Sequence, residues 1–410
     1  MGNTMRFLAT LLAGVLGTGT ALSAGAETLT LTNALLIDGT GTPPVAGTTV
    51  VVKDGKIAAI RRGGPTEGKV IDLRGRTLLP GLIDAHTHIT NPAAALRALQ
   101  SGVTTARVLG DVNWQSMGTR DLVRNGSVPG PEILAAGPLI RPKPGLAFYV
   151  AHPQFGRFLN TELRGPENIA AAVRANLARG ADVIKVGASE RAGLASTDPR
   201  RQELTYDELV AAVTEAKKAG KVVAAHAYDP VGSNAAVRAG VHSIEHGAYL
   251  SDETLALMKE KGTFFVPTLA VLSPLGDPRS DSADDIKLVL RTKYMQPDIQ
   301  ARVRRAKALG ITVAAATDGS YDDGNDTARL RVAHDMEEML AVGYTPMETI
   351  VNATRNGARV LQIEERTGTI AVGKEADLLV VDRNPLEQFV TLFEPLLVIN
   401  NGTVVLDRLY

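Results

Sequence analysis

The sequence predicts an α/β protein: a (β/α)8 barrel of the TIM type, joined to a small β unit drawn from both ends of the chain. Three observations carry this. Between Gly81 and about Leu361, short apolar runs alternate with helix-period segments, the signature of repeated βα units and a parallel sheet. Those runs number eight, enough to close one ring. Outside them, both ends of the chain carry short β-rich runs broken by turns.

In chain order, Thr28 to Leu79 supplies "TLTLTNALLIDG", "TTVVVKDGKIAAI" and "KVIDLRGRTLLP", with Asp54-Gly55 as a hairpin turn. The barrel strands are read at "LIDAHTH", "TTARVLG", "EILAAG", "DVIKVGA", "VVAAHA", "SIEHG", "TFFVPTL" and "ITVAAATD". Helices are expected at Ala93 to Ser101, Glu167 to Arg179, Tyr206 to Ala219, Asn234 to Ala239, Asp252 to Lys261 and Asp298 to Leu309, each ending at or near glycine. Lys143 to Arg164 and Pro274 to Asp298 are long for connections and read as insertions at the active site. The far end returns to β texture in "TGTIAVGKEADLLVVD" and "EPLLVINNGTVVL", with Asn400-Asn401-Gly402 as a second tight turn. The two ends are expected to pair in one sheet. The resulting division is 1–26, 27–80, 81–365 and 366–410.

Composition narrows the function. With 44 basic and 44 acidic residues among 410, the formal charge is zero, and the basic residues are scattered. No nucleic-acid footprint is present. The absence of cysteine removes disulfides, thiol nucleophiles and thiolate metal sites. Any metal must be held by His, carboxylate or modified Lys. Residues 1–26 place Arg6 before an apolar run from Phe7 to Leu16 and end in Ala24-Gly25-Ala26. This reads as a secretory signal cleaved after Ala26, giving a periplasmic or secreted protein, and no later segment is apolar enough to span a membrane.

Residues able to bind metal fall at the C-terminal ends of five of the expected strands, and in a barrel those ends form one face. Alternation along "DAHTH" projects His86 and His88 together into the barrel mouth, where they can clasp one ion. His226 and His246 close neighbouring strands and rise side by side. Either alone reads as a structural histidine; their coincidence on the same face points to a ligand pair. His242 begins its strand and belongs to the opposite, structural face. Asp318 ends a run of small apolar residues, where a carboxylate is costly unless it binds a metal or a donor. On a metal it can also accept a proton from water. Lys185 ends "DVIKVG" inside a β run. Burial near cations lowers a lysine pKa, and the free amine can react with carbon dioxide to give an anionic carbamate that bridges two ions.

With "PGLIDAHTH", "DVIKVGAS", "AAHAYDPVGSNAAVRAGVHSIEHG", "AAATDG" and "TGTIAVGKEADLLVVD" in this order, the chain resembles the metal-dependent amidohydrolase superfamily over nearly its whole mature length. The resemblance implies a barrel with a composite β-sandwich from both termini and two divalent metal ions, expected to be Zn2+. By position, His86, His88 and Asp318 would bind one ion and His226 and His246 the other, with Lys185 bridging as a carbamate and Asp318 as general base. "AHAYDPVG" and "AGVHSIEHG" are most similar to the prolidase and zinc-carboxypeptidase branch. Its members cut Xaa-Pro or other C-terminal amide bonds, and some relatives hydrolyse amide-linked aromatic amino acids, including ochratoxin. Tyr228 resembles that branch's carbonyl-polarising tyrosine, and His152 falls where it places a substrate-contacting histidine. The "FYVAHPQFG" and "TDGSYDDGNDTARLRVAH" segments depart from the branch's usual forms. Arg141, Arg329 and Arg331 are candidates for a substrate carboxylate. The expected partners are a small amide or dipeptide substrate and, as in many relatives, further copies of the chain. Two other readings follow from the same residues: a cyclic-amide hydrolase of the imidazolonepropionase type, usually a one-metal enzyme without the strand-four lysine, and a non-catalytic exported metal- or solute-binding protein.

Overall fold

The computed structural model describes residues 27–111, 113–283 and 285–409; the expected signal segment, 1–26, lies outside the described residues. The chain opens with five strands, β1 (Leu29–Leu36), β2 (Val45–Lys53), β3 (Lys56–Arg62), β4 (Lys69–Asp72) and β5 (Thr77–Pro80). Its barrel strands are β6 (Leu82–Thr87), β7 (Val103–Val108), β8 (Glu132–Ala135), β9 (Ile184–Gly187), β10 (Val223–Ala227), β11 (Ser243–His246) and β12 (Phe264–Val266). Three strands close the chain, β13 (Leu378–Val381), β14 (Leu397–Asn400) and β15 (Thr403–Asp407).

The two ends share one sheet, in the order β15-β14-β13-β5-β1-β2-β3 with β4 on β1. The seam is antiparallel pairing of β13 with β5, where Leu379 faces Leu79. Two hairpins are set by their turn residues: Asp54 and Gly55 take φ of 52° and 76°, and Asn401 and Gly402 take 47° and 77°. Left-handed pairs of this kind match the twist of the strands they join. These turns also lie back to back, so that a Cβ on Gly402 would come within 2.6 Å of the Gly55 Cα. Leu29, Leu31, Val50, Val52, Leu378 and Val380 fill the space under this sheet.

The barrel is of the TIM type. Parallel sheets β6-β7-β8 and β9-β10-β11-β12 are joined at both seams by backbone hydrogen bonds. At one seam Ile140 N–H donates to Lys185 O at 3.0 Å, and Gly187 N–H to Ile140 O at 2.9 Å. At the other, residues 311–318 lie between β12 and β6: Phe265 N–H reaches Thr312 O at 3.0 Å and Ala85 N–H reaches Ala315 O at 3.2 Å. This eighth run is not the regular strand its sequence predicts, since only Val313 pairs as an isolated bridge. Side chains replace its ladder. Asp335 Oδ2 accepts from Ala316 N–H at 2.9 Å, and Asp84 Oδ1 from Thr317 N–H at 3.1 Å.

Most expected helices form within a residue or two, as Pro92–Gln100, Pro166–Ala178, Tyr206–Lys218 and Asp252–Lys261. The helix expected from Asn234 begins at Pro230, because Asp229 caps it through Gly232 N–H and proline suits a first turn. A larger difference lies in the second insertion. Ile286–Leu309 is one helix running through Pro297, started by the Asp285 cap and held by buried Val289, Thr292 and Met295 on the turns before the proline. Packing there outweighs the lost hydrogen bond. The first insertion folds as the short helix Leu146–Ala151 and a 3-10 turn at Pro153–Phe158. Helices at Gln115–Arg124, Val332–Ala341, Pro346–Asn352 and Arg355–Leu361 were not expected. Among the described residues, no helix is long and apolar enough to cross a membrane.

Asp335 is fully buried and binds two segments, since its Oδ1 also accepts from Ala270 N–H at 3.0 Å. Asparagine there would turn an N–H2 toward one of these donors. Asp335→Asn is therefore expected to lower stability by about 1–3 kcal/mol, read by urea or thermal unfolding.

Candidate active site

A cavity of about 480 Å3 opens at the strand ends, lined by His86, His88, Lys185, His226, His246 and Asp318 together with Tyr228 and Arg141. The structure thus brings together all six candidate metal ligands. The tightest group is His86, His88 and Asp318, whose ligand atoms lie within 4.8 Å of one another. His88 Nε2 is 2.9 Å and His86 Nε2 3.3 Å from Asp318 Oδ1. On the other side of each ring the partner is an acceptor: Gly110 O at 2.8 Å from His88 Nδ1, and Glu245 Oε2 at 2.9 Å from His86 Nδ1. Each Nδ1 must therefore carry its proton, which turns the Nε2 lone pairs toward a carboxylate oxygen.

Burial keeps the rings of His86, His226 and His246 neutral. Burial, reinforced by Lys185, pushes His86 down to about 4, and burial pushes His246 down to about 3. Burial and the neighbouring His246 hold His226 well below the ordinary range. Burial would raise Asp318, but charge on His86, His88 or His246 outweighs it wherever those rings take up a proton, so the carboxylate stays well below the ordinary carboxylate range. Neutral imidazole lone pairs converging on a carboxylate form a donor set that a divalent cation satisfies and a proton does not.

The second group lies beside the first. The His226 and His246 rings are 4.7 Å apart, and His246 is 5.1 Å from His86. His226 Nε2 and Lys185 Nζ are buried without a hydrogen-bond partner among the described residues. Burial lowers Lys185 to about 8. Two such atoms are costly in a protein interior unless a ligand completes them. The residues present therefore fit metal. Tyr228 stacks on His246 at 5.1 Å with 16° between planes, and burial raises its pKa, so the phenol stays protonated.

Two candidate ligands and the partner of one of them are held in left-handed backbone: His246 at φ 71°, Asp318 at 53° and Thr268 at 51°. Such strain persists only where surrounding bonds enforce it. Thr268 Oγ1 meets His246 Nδ1 at 2.8 Å, and Asp318 N–H donates to His86 O at 2.8 Å.

Not every expected residue serves the site. His152 is outside the cavity lining; its Nε2 meets Asn176 Oδ1 at 2.9 Å, and its ring packs among Trp114, Phe148 and Phe155. Its Asn176 contact and aromatic packing hold it behind the mouth, outside the cavity lining. Arg329 pairs with Asp281 and Asp326, and Arg331 reaches Phe393 O; neither lines the cavity. Arg141 does line it, with its guanidinium paired to Glu203. His242 is structural, meeting Val360 O at 3.0 Å.

The sequence reading missed the supports. Glu245 is fully buried between His86 and Arg107, whose guanidinium donates to Glu245 Oε1 at 3.0 Å and to Ala85 O at 2.7 Å. Burial would raise Glu245, but Arg107 and Lys185 outweigh it and keep the carboxylate ionised. Asp84 accepts from His86 N–H, Thr317 and the Tyr321 hydroxyl, pinning the Asp318 turn to β6. A charged residue inside an apolar strand, as in "SIEH" and "TTARV", was the available signal.

Residues 77–405, most of the chain, match the amidohydrolase family. The chain belongs to the amidohydrolase family. The ochratoxinase of Aspergillus niger is 28% identical over 409 positions, covering 88% of this chain and 82% of that one. A crystal structure of a Xaa-Pro dipeptidase with methionine bound in its active site superposes with a TM-score of 0.82 at 29% identity, over 92% of this chain and 99% of that one. A putative prolidase from Bifidobacterium longum gives 0.80 at 28% identity, over 93% and 95%. This amidohydrolase is a metal-dependent hydrolase acting on amide bonds.

Glu245→Gln replaces one acceptor by an N–H2 group and leaves Arg107 without its counter-charge. Metal affinity is expected to fall about 10- to 100-fold, measured by titration of the chelated protein.

Proposed function

We propose that this amidohydrolase holds two zinc ions and cleaves the amide bond of a dipeptide, Xaa-Pro or another C-terminal residue, or of an N-acyl amino acid. The observation that carries the reading is the pair of buried, unpartnered atoms, Lys185 Nζ and His226 Nε2, beside the His86, His88 and Asp318 group. His86, His88 and Asp318 would hold one ion, His226 and His246 the second, and Lys185 would bridge them as a carbamate. Divalent ions in such a site acidify water and polarise a carbonyl. The kinship with ochratoxinase and the Xaa-Pro dipeptidase supports the choice of substrate class.

The lysine chemistry follows from burial. With its pKa near 8, about a tenth of Lys185 is free amine at pH 7. That amine attacks carbon dioxide, forms an N–C bond and releases one proton. The product is an anion, which would suit a site that holds two divalent ions.

During hydrolysis Asp318, held ionised, takes the proton of the attacking water and delivers it to the leaving nitrogen. An amide nitrogen leaves poorly without it. Tyr228, kept protonated by burial, donates a hydrogen bond to the carbonyl oxygen as negative charge develops there. The hydrogen bonds at both barrel seams support a closed ring of eight βα units beneath this site, beside a sandwich formed by the terminal sheet. Export with cleavage after Ala26 is part of the same proposal, and mass spectrometry of natively produced protein is expected to find Glu27 at the N-terminus.

Elemental analysis of freshly purified protein is expected to give about two ions per chain, with chelator-sensitive cleavage of Xaa-Pro dipeptides or N-acyl aromatic amino acids. Asp318→Asn is expected to lower kcat by about 10²- to 10⁴-fold. One ion per chain, with activity retained in Lys185→Met, would favour the cyclic-amide reading instead.

A further inference from the structure

Between β9 and the helix Tyr206–Lys218 the chain makes an excursion over the cavity mouth. Its base is closed like a hairpin: Glu190 N–H donates to Arg201 O at 2.9 Å, and Ser189 bridges Gln202. Its outer part is held by a single side chain from the long second-insertion helix. Arg291 donates to Ala192 O and Leu194 O, both at 2.7 Å, and to Thr197 O at 2.5 Å. Three carbonyls on one guanidinium fix the path of the residues that follow Arg191.

Arg191 lines the cavity, yet its side chain is exposed and, among the described residues, forms no ion pair or side-chain hydrogen bond. It shares the cavity lining with Lys185, His226 and Tyr228. Arg141, the other cavity arginine, is buried with its guanidinium bonded to Glu203. The helix that clamps the excursion also forms an apolar wall of the same cavity through Leu288 and Met295, continued by Leu272 and Leu275. One side of the cavity therefore presents an uncompensated guanidinium next to apolar surface.

The geometry points to Arg191 as the residue that receives the free α-carboxylate of the amino acid released, with the adjoining wall selecting an apolar side chain and Arg291 acting as a positioning residue. This deepens the proposed amide-hydrolase function and rests on it. The substrate class becomes an apolar amino acid, N-acylated and carrying a free carboxylate. A guanidinium meets a carboxylate with two parallel hydrogen bonds, which a carboxamide cannot reproduce.

The test uses N-acetyl-L-phenylalanine and glycyl-L-phenylalanine, each beside its C-terminal carboxamide, with cleavage read as release of acetate or glycine. The wild-type protein is expected to favour the acid by roughly 10- to 100-fold in kcat/KM. Arg191→Met is expected to bring that ratio near one by raising KM for the acid, leaving the carboxamide unchanged, and Arg191→Lys to recover part of it. Arg291→Met should raise KM for the acid with metal content unaltered. Equal losses on acid and carboxamide, or no loss on either, would overturn the assignment. The matching N-acetyl-L-glutamate should be a poor substrate; equal turnover overturns the apolar selection. Cleavage without preference for the acid sinks Arg191 alone, whereas wild-type protein that cleaves neither pair sinks the dipeptide and N-acyl amino acid reading together with it.

Discussion

The rest of the site depends on one arrangement: two imidazole lone pairs turned toward a single oxygen of Asp318. Gly110 O behind His88 and Glu245 behind His86 each claim an Nδ1 proton, so neither ring can rotate or change tautomer to relieve the contact. Burial denies His86 the alternative of charging. What remains stable is a cation between them. Lys185 and His226 repeat the same logic with buried atoms that no described residue completes.

Holding this arrangement takes much of the barrel. Arg107 on β7 reaches across to Glu245 on β11 and to Ala85 O on β6, so three strands meet at one ion pair. A buried pair of this kind adds little net stability, but removing either partner leaves an isolated charge. Its role is to fix orientation. Asp84 and Asp335 do similar work on the eighth segment, taking N–H groups that a regular strand would have paired. The segment is thereby free to turn at Asp318 into left-handed backbone and present its carboxylate to the histidines.

The ligand set was legible because its chemistry is unusual at its location. Histidine, lysine and aspartate at the ends of apolar strands have few structural explanations, and strand alternation says which way they point. The terminal sheet was legible from turn dipeptides for a related reason, since Asp54-Gly55 and Asn401-Gly402 take backbone conformations most residues avoid. The supports were harder to see. Glu245 and Arg107 are separated by 138 positions, and no local pattern announces that they meet. The helix Ile286–Leu309 was hidden by Pro297, a local signal that tertiary packing overrode. His152 is the opposite case, where position along the chain points to a substrate contact and aromatic packing sets the ring behind the cavity lining.

Specificity sits on elements that are not part of the βα repeat. The excursion carrying Arg191 and the helix carrying Arg291 meet over the mouth, tied to each other through the Arg291 guanidinium. Catalytic machinery and substrate choice can thus change separately. The central claim is that Lys185 joins two metal sites, and it is tested most directly by a crystal structure of the zinc-loaded protein with anomalous scattering data. The account predicts two anomalous peaks, one at His86, His88 and Asp318 and one at His226 and His246, with density extending Lys185 Nζ as a carbamate between them. One peak beside an unmodified Lys185 would contradict it.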